Sequence, residues 1–217
     1  MRFETAALLF DMDGTLIDST PSVNRCWGRL LREYAVPAER LVGILMHGRP
    51  GVEILADLLP PHRVQEAAQR LQELELADAD GTVVLPGVLR LLASLPGDAW
   101  AVVTSANAPL AEARLKVTGL QPPVLVTADD VTRGKPDPEP FLRGAALLGV
   151  PAERCLVLED APAGLAAARA AGMRTIAVTT THTADELDAD WVLPDLRAVR
   201  AEKGGDGLSV WLDETPG

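Results

Sequence analysis

The sequence is short of cysteine and of positive charge, and it has no long apolar run. Its two cysteines, Cys26 and Cys155, lie far apart and form no CxxC pair, so no disulfide framework is expected. Free thiols in a reducing cytosol follow, and with them a cytoplasmic location. Lys and Arg number 20 against 31 Asp and Glu, for a net charge of −11. A general nucleic-acid binder needs a basic footprint, which this chain lacks. Electrostatic anchoring to a membrane is disfavoured for the same reason. A small anionic ligand stays possible, because a site can be locally positive inside an acidic protein. The apolar run Ala6–Phe10 stops at Asp11, too short for a signal peptide or a membrane span. No low-complexity tract or internal repeat stands out.

What is present suits an ordinary globular chain. Its 217 residues are 47% hydrophobic and 24% charged, enough to bury a substantial core without staples. Short runs that are apolar at every position recur: Ala6–Phe10, Trp100–Val103, Val124–Val126, Cys155–Leu158, Thr175–Val178 and, more weakly, Trp191–Leu193. Such runs suit strands buried on both faces of a parallel sheet. Between them, Val88–Leu95, Pro109–Val117, Pro138–Leu148 and Ala163–Ala171 carry apolar residues at helical spacing. The alternation predicts an α/β fold, a doubly wound parallel sheet of Rossmann-like βαβ units. Ligands of such sheets bind outside the carboxyl ends of the strands.

One interval breaks the alternation. From Thr15 to Thr82 the pattern is helical throughout: Pro21–Tyr34, Pro37–Leu45, Gly51–Leu59 and His62–Leu76. This predicts an inserted α-helical module over residues 15–83 and a core made of residues 1–14 and 84–217. Leu208–Leu212 alternates like an edge strand.

Polar residues collect just past the strand ends. Asp11-Met12-Asp13-Gly14-Thr15 follows the first run. Charges at a buried strand end are costly unless paired or used. Read functionally, Asp11 is a nucleophile toward phosphorus and Asp13 a general acid and base. Taken alone, the segment also fits a solvated or calcium-type loop. Thr104-Ser105-Ala106-Asn107 could cradle phosphate oxygens, or simply cap a helix through Ser105 or Asn107. Lys135, between Gly134 and Pro136, could be held as a point charge on phosphate by its stiff loop, or sit on an exposed turn. Glu159-Asp160 could meet Asp11 across the crevice, and hard oxygen ligands suit Mg2+. Capping of the next helix by Asp160 is the plainer role.

Four segments in this order resemble the haloacid dehalogenase superfamily: DxDGT, a Thr/Ser strand end, Lys135 in GKPxP, and the Glu159-Asp160 pair before a glycine-containing helix. The resemblance covers essentially the whole chain, and the helical insertion is similar to that superfamily's type 1 cap. It implies that Asp11 forms an aspartyl-phosphate and that Asp13 protonates the leaving oxygen, then activates water. It implies that Thr104 holds phosphoryl oxygens, with backbone groups near Ser105 and Ala106, and that Lys135 neutralises charge on Asp11. Mg2+ would be held by Asp11, the backbone carbonyl of Asp13, and Asp160, with Glu159 ligating directly or through water. Asp13 argues for phosphate chemistry over dehalogenation.

Lys116–Leu120, Val131–Pro138 and Glu159–Gly172 resemble the small sugar and polyol phosphatases, as does His47-Gly48-Arg49 in the cap. His47 and Arg49 are therefore expected at the leaving group of a small phosphorylated metabolite. Two departures, Ala106-Asn107 and Pro50, concern substrate identity. A hexose phosphate mutase would use the same core with extra cap cations, for which Arg25, Arg29, Arg32 and Arg49 are available. A non-catalytic binding protein on this fold is a further alternative. Hinges are expected near Thr15–Asp18 and Ala79–Leu85, and a monomer or weak dimer.

Overall fold

The computed structural model describes residues 1–41, 51–205 and 207–213. The chain opens with strands β1 (Arg2–Thr5) and β2 (Ala7–Phe10). A two-residue strand, β3 (Ile17–Asp18), leads into helices α1 (Thr20–Glu33), α2 (Gly51–Leu58) and α3 (Pro61–Ala77). Strand β4 (Val83–Val84) leads out again, paired antiparallel with β3. Strand and helix then alternate: α4 (Val88–Ala93), β5 (Trp100–Val103), α5 (Ala108–Thr118), β6 (Leu125–Val126), α6 (Glu139–Leu148), β7 (Cys155–Glu159), α7 (Pro162–Ala170) and β8 (Arg174–Val178). Strands β9 (Trp191–Leu193), β10 (Val199–Gly204) and β11 (Gly207–Leu212) complete the chain.

The main sheet is parallel throughout and has the order β6-β5-β2-β7-β8-β9. It is the doubly wound α/β sheet that the apolar runs predict. Strand β2 lies between β5 and β7, where the winding changes direction. All four of its residues are buried, and the period of two divides them between layers. Leu8 and Phe10 pack with Trp100, Val102, Leu156 and Leu158 on one face. Ala7 and Leu9 pack with Val103, Phe141 and Val157 on the other. Each large apolar side chain buried this way contributes about 1.5–3 kcal/mol. Two buried layers leave the carboxyl end of the strand as the exit for polar groups.

Helices α1, α2 and α3 keep a hydrophobic cluster of their own, built from Trp27, Leu30, Leu55, Leu58 and Leu71 among others. The helical spacing of the sequence anticipated all three. Of the expected helix Pro37–Leu45, the described part is a single 3-10 turn at Ala38–Leu41; the rest lies outside the described residues. A separate sheet has the order β1-β11-β10. The edge strand expected at Leu208–Leu212 is instead its middle strand, paired with β1 and with β10. Neither partner stands out in sequence, because Arg2-Phe3-Glu4-Thr5 is short and Arg200, Glu202 and Lys203 dilute the apolar signal of β10. Among the described residues, no helix is long and apolar enough to cross a membrane.

Candidate active site

Three strands of the main sheet deliver charged or hydroxyl groups to one crevice. Asp11 follows β2, Thr104 follows β5, Glu159 ends β7 and Asp160 follows it. These are the carboxyl ends flanking the change in winding direction, where open α/β sheets place their ligands.

Lys135 reaches this crevice from the loop before α6, and its side chain is 1% exposed. Its ammonium donates to Asp11 Oδ1 at 2.6 Å, to Glu159 Oε1 at 2.8 Å and to the Val103 carbonyl at 3.1 Å. An ammonium has three N–H groups, and all three are thereby used. The nitrogen also sits 4.9 Å from the Phe141 ring centroid. Burial alone would lower the Lys135 pKa, but the Asp11 and Glu159 carboxylates outweigh it and hold the ammonium above its usual range. The exposed-turn reading of this loop is thus excluded.

Glu159 is fully buried. Its Oε2 accepts the backbone N–H groups of Asp160 and Ala161, both at 2.7 Å. A Cβ at Gly164 would lie 1.7 Å from Glu159 Oε1, so only glycine leaves room there for the carboxylate. Asp160 accepts hydroxyl hydrogen bonds from Thr15, at 3.1 Å, and from Thr181. A Cβ at Gly14 would lie 2.2 Å from Asp160 Oδ2, and Gly14 has φ +91°. The DxDGT turn therefore needs its glycine twice, for conformation and for space.

The three carboxylates of Asp11, Glu159 and Asp160 bring their oxygens within 4.8 Å of one another. Burial pushes the Asp11 carboxyl up to about 7, against the pull of the Lys135 ammonium. Burial, then the neighbouring Glu159 and Asp11, hold Asp160 well above the carboxylate range. One ammonium against three buried carboxylates leaves negative charge uncompensated, which is costly in a desolvated place. An all-oxygen donor set in deficit of positive charge fits a hard divalent cation.

Asp13 stands at the open side of the crevice, its side chain 26% exposed. Its Oδ1 accepts the Ser19 hydroxyl at 2.6 Å and Arg114 Nη1 at 3.0 Å. Thr104 is buried and accepts the Ala106 N–H at 3.1 Å. Ser105 and Ala106 line the same cavity as Asp11 and Asp13. Asn107 caps α5, accepting the Leu110 N–H at 3.1 Å, as the capping reading of this segment expects. His47 and Arg49 lie outside the described residues.

The family model described as haloacid dehalogenase-like hydrolase matches residues 5–172. The chain belongs to this family. Hexitol phosphatase A of Escherichia coli is 39% identical over 206 residues, covering 92% of this chain and 95% of that protein. Validoxylamine A 7'-phosphate phosphatase of Streptomyces hygroscopicus subsp. limoneus is 40% identical over 201 residues, covering 88% and 94%. Among solved structures, CbbY of Rhodobacter sphaeroides in complex with phosphate superposes with a TM-score of 0.76 at 26% identity, covering 89% of this chain and 95% of that one. Within the haloacid dehalogenase-like hydrolases, the chain falls in the sugar- and polyol-phosphatase branch.

Ser19, Glu75 and Arg114, which line this hydrolase's cavity, are among the residues that escaped the sequence reading. Arg114 carried a signal. Leu110, Ala111, Arg114 and Leu115 form the buried stripe of α5, and a charged residue at a core position of a helix asks for a partner. Glu75 and Ser19 carried none, since their neighbours come from distant parts of the chain.

Proposed function

We propose that this protein is a Mg2+-dependent phosphatase of a small sugar or polyol phosphate that works through an aspartyl-phosphate on Asp11. One observation carries the reading: Lys135 bridges Asp11 and Glu159 inside a crevice that also holds Asp13 and Thr104. The branch relatives, hexitol phosphatase A among them, support the substrate class.

In this proposal an Asp11 oxygen attacks phosphorus, and the bond to the leaving ester oxygen breaks. Asp13 gives its proton to that oxygen, releasing an alcohol. A water then attacks the phosphorus of the aspartyl-phosphate, its proton passes to Asp13, and inorganic phosphate leaves with Asp11 restored. Thr104, with backbone groups of Ser105 and Ala106, holds the non-bridging oxygens. Lys135 keeps its charge against Asp11 throughout and so favours phosphoryl oxygens beside it. Asp11, Asp160 and the Asp13 carbonyl would hold the Mg2+, with Glu159 ligating directly or through water. The ion supplies positive charge to the phosphoryl group and to the buried acids. Residues 15–83 act as a cap, with hinges at the connections that contain β3 and β4, and its closure excludes water. His47 and Arg49 belong to the proposal as cap contacts to the leaving group.

Among the described residues no lysine or arginine of helices α1–α3 lines the cavity. Arg25 pairs with Asp78 and Arg29 with Glu33. Arg25 and Arg29 are thus committed elsewhere, and with the branch relatives being phosphatases the phosphatase reading is preferred to a mutase. The test is phosphate release from a panel of phosphate monoesters with Mg2+, with chelator as control. Asp11→Asn should abolish turnover while the thermal transition is kept; substantial residual turnover refutes the nucleophile. Chelator should remove the activity and Mg2+ restore it.

A further inference from the structure

The cavity between sheet and helices is closed on the helix side by Trp27, Ile54 and Leu71, with one acidic residue, Glu75, among them. The Glu75 side chain is 13% exposed, and its carboxylate accepts no hydrogen bond from any described residue. Among the described residues the nearest cation is Arg114, whose Nη2 lies 3.5 Å from Glu75 Oε1. That nitrogen is buried and makes no hydrogen bond itself. Its other terminal nitrogen, Nη1, is committed to Asp13. Two carboxylates therefore share one guanidinium on this wall. A largely buried carboxylate with no hydrogen-bond donor among the described residues has lone pairs to offer, and it lines the cavity that must take the leaving group. Apolar Trp27 and Leu71 beside it offer a surface for C–H groups.

We infer that Glu75 is a specificity residue that accepts hydrogen bonds from the hydroxyls of an uncharged polyol leaving group and rejects leaving groups bearing a second anion. The inference rests on the phosphatase reading for its chemistry. A polyol brings several O–H donors, each able to satisfy one lone pair of the carboxylate. A carboxylate or second phosphate on the leaving group would instead meet the Glu75 carboxylate, whose one cationic partner among the described residues, Arg114, is already shared with Asp13, and would be repelled by it. Arg114 acts as a positioning residue that ties Glu75 of α3 to Asp13 of the core.

The test compares, at pH 8, wild type, Glu75→Gln and Glu75→Leu on three esters: a hexitol monophosphate, phosphoglycolate and para-nitrophenyl phosphate, which has no hydroxyls on its leaving group. Glu75→Leu should lower kcat/KM on the hexitol ester by about tenfold or more, as expected for loss of a buried hydroxyl contact. It should leave para-nitrophenyl phosphate within about threefold, because that ester makes no hydroxyl contact to lose. Glu75→Gln keeps the shape without the charge, and it should narrow the preference for hexitol ester over phosphoglycolate by about tenfold through gain on phosphoglycolate. Equal losses on all three esters, or an unchanged preference in Glu75→Gln, overturn the inference. A second readout does not need turnover. Calorimetric binding of the hexitol monophosphate to Asp11→Asn should weaken about tenfold when Glu75→Leu is added, while binding of inorganic phosphate stays the same. Equal affinity for the hexitol ester in both proteins overturns the inference even if wild type releases no phosphate, an outcome that would refute the phosphatase reading alone.

Discussion

Replacing Glu75 by glutamine should stabilise the fold at alkaline pH and leave it unchanged under acid. Burial raises the Glu75 carboxyl from 4.5 to about 7, and the Arg114 guanidinium only partly offsets that rise. In the unfolded chain the group ionises at its ordinary value. Between these two pH values the unfolded state has released a proton that the folded state still holds. Stability therefore falls as pH rises from about 4.5 to about 7 and stays at its lower level above that. A rise of this size corresponds to about 3 kcal/mol at most. Glutamine has the same shape and never ionises, so it removes the penalty. The variant should match wild type near pH 4.5 and exceed it by up to about 3 kcal/mol at pH 8. For a chain of this length that is a midpoint shift of roughly 6–12 °C. Urea titrations of both proteins at a series of pH values, with chelator present, measure the difference directly. The acids of the crevice titrate alike in both and cancel. A variant less stable than wild type at pH 8, or a difference independent of pH, would mean that the ion pair with Arg114 outweighs desolvation, and would refute the reasoning.

Other perturbations address the buried charges. Lys135→Met leaves Asp11 and Glu159 without their shared cation, and in metal-free protein this should cost about 3–5 kcal/mol in a urea titration; a loss below about 1 kcal/mol would show that the acids are neutral without it. The same variant should lose at least about 100-fold in phosphate release with Mg2+ present. Gly164→Ala would ordinarily favour helix α7 by about 1 kcal/mol, but the added methyl must displace the Glu159 carboxylate. Activity should fall at least about tenfold, and an alanine variant that is both more stable and fully active would contradict the geometry.

Much of the crevice was legible in the sequence because its residues sit where apolar runs end. Asp11, Thr104 and Asp160 each follow, and Glu159 ends, a strand whose buried faces exclude charge, so polar groups collect at the crevice. Lys135 was legible by its place between glycine and proline, although its burial was not. What escaped depends on distance in the chain. Arg114 meets Asp13 and Glu75 across 101 and 39 residues, and no local spacing encodes such a meeting. The β1–β11 pairing, Phe3 opposite Val210, is hidden in the same way. Local pattern fixes which residues are buried, and it leaves open which buried residues face each other.

The commitment of all three Lys135 donors has a practical side. The sequence holds three lysines, Lys116, Lys135 and Lys203, and two of them are exposed. An amine reacts with acylating reagents only through a free lone pair, and the Lys135 nitrogen is protonated, enclosed and shared among Asp11, Glu159 and Val103. Acylating dyes, cross-linkers and amine-coupled supports should therefore find Lys116 and Lys203 while the crevice keeps its charge. Attachment through these side chains gives a protein tethered at few points and intact where it works.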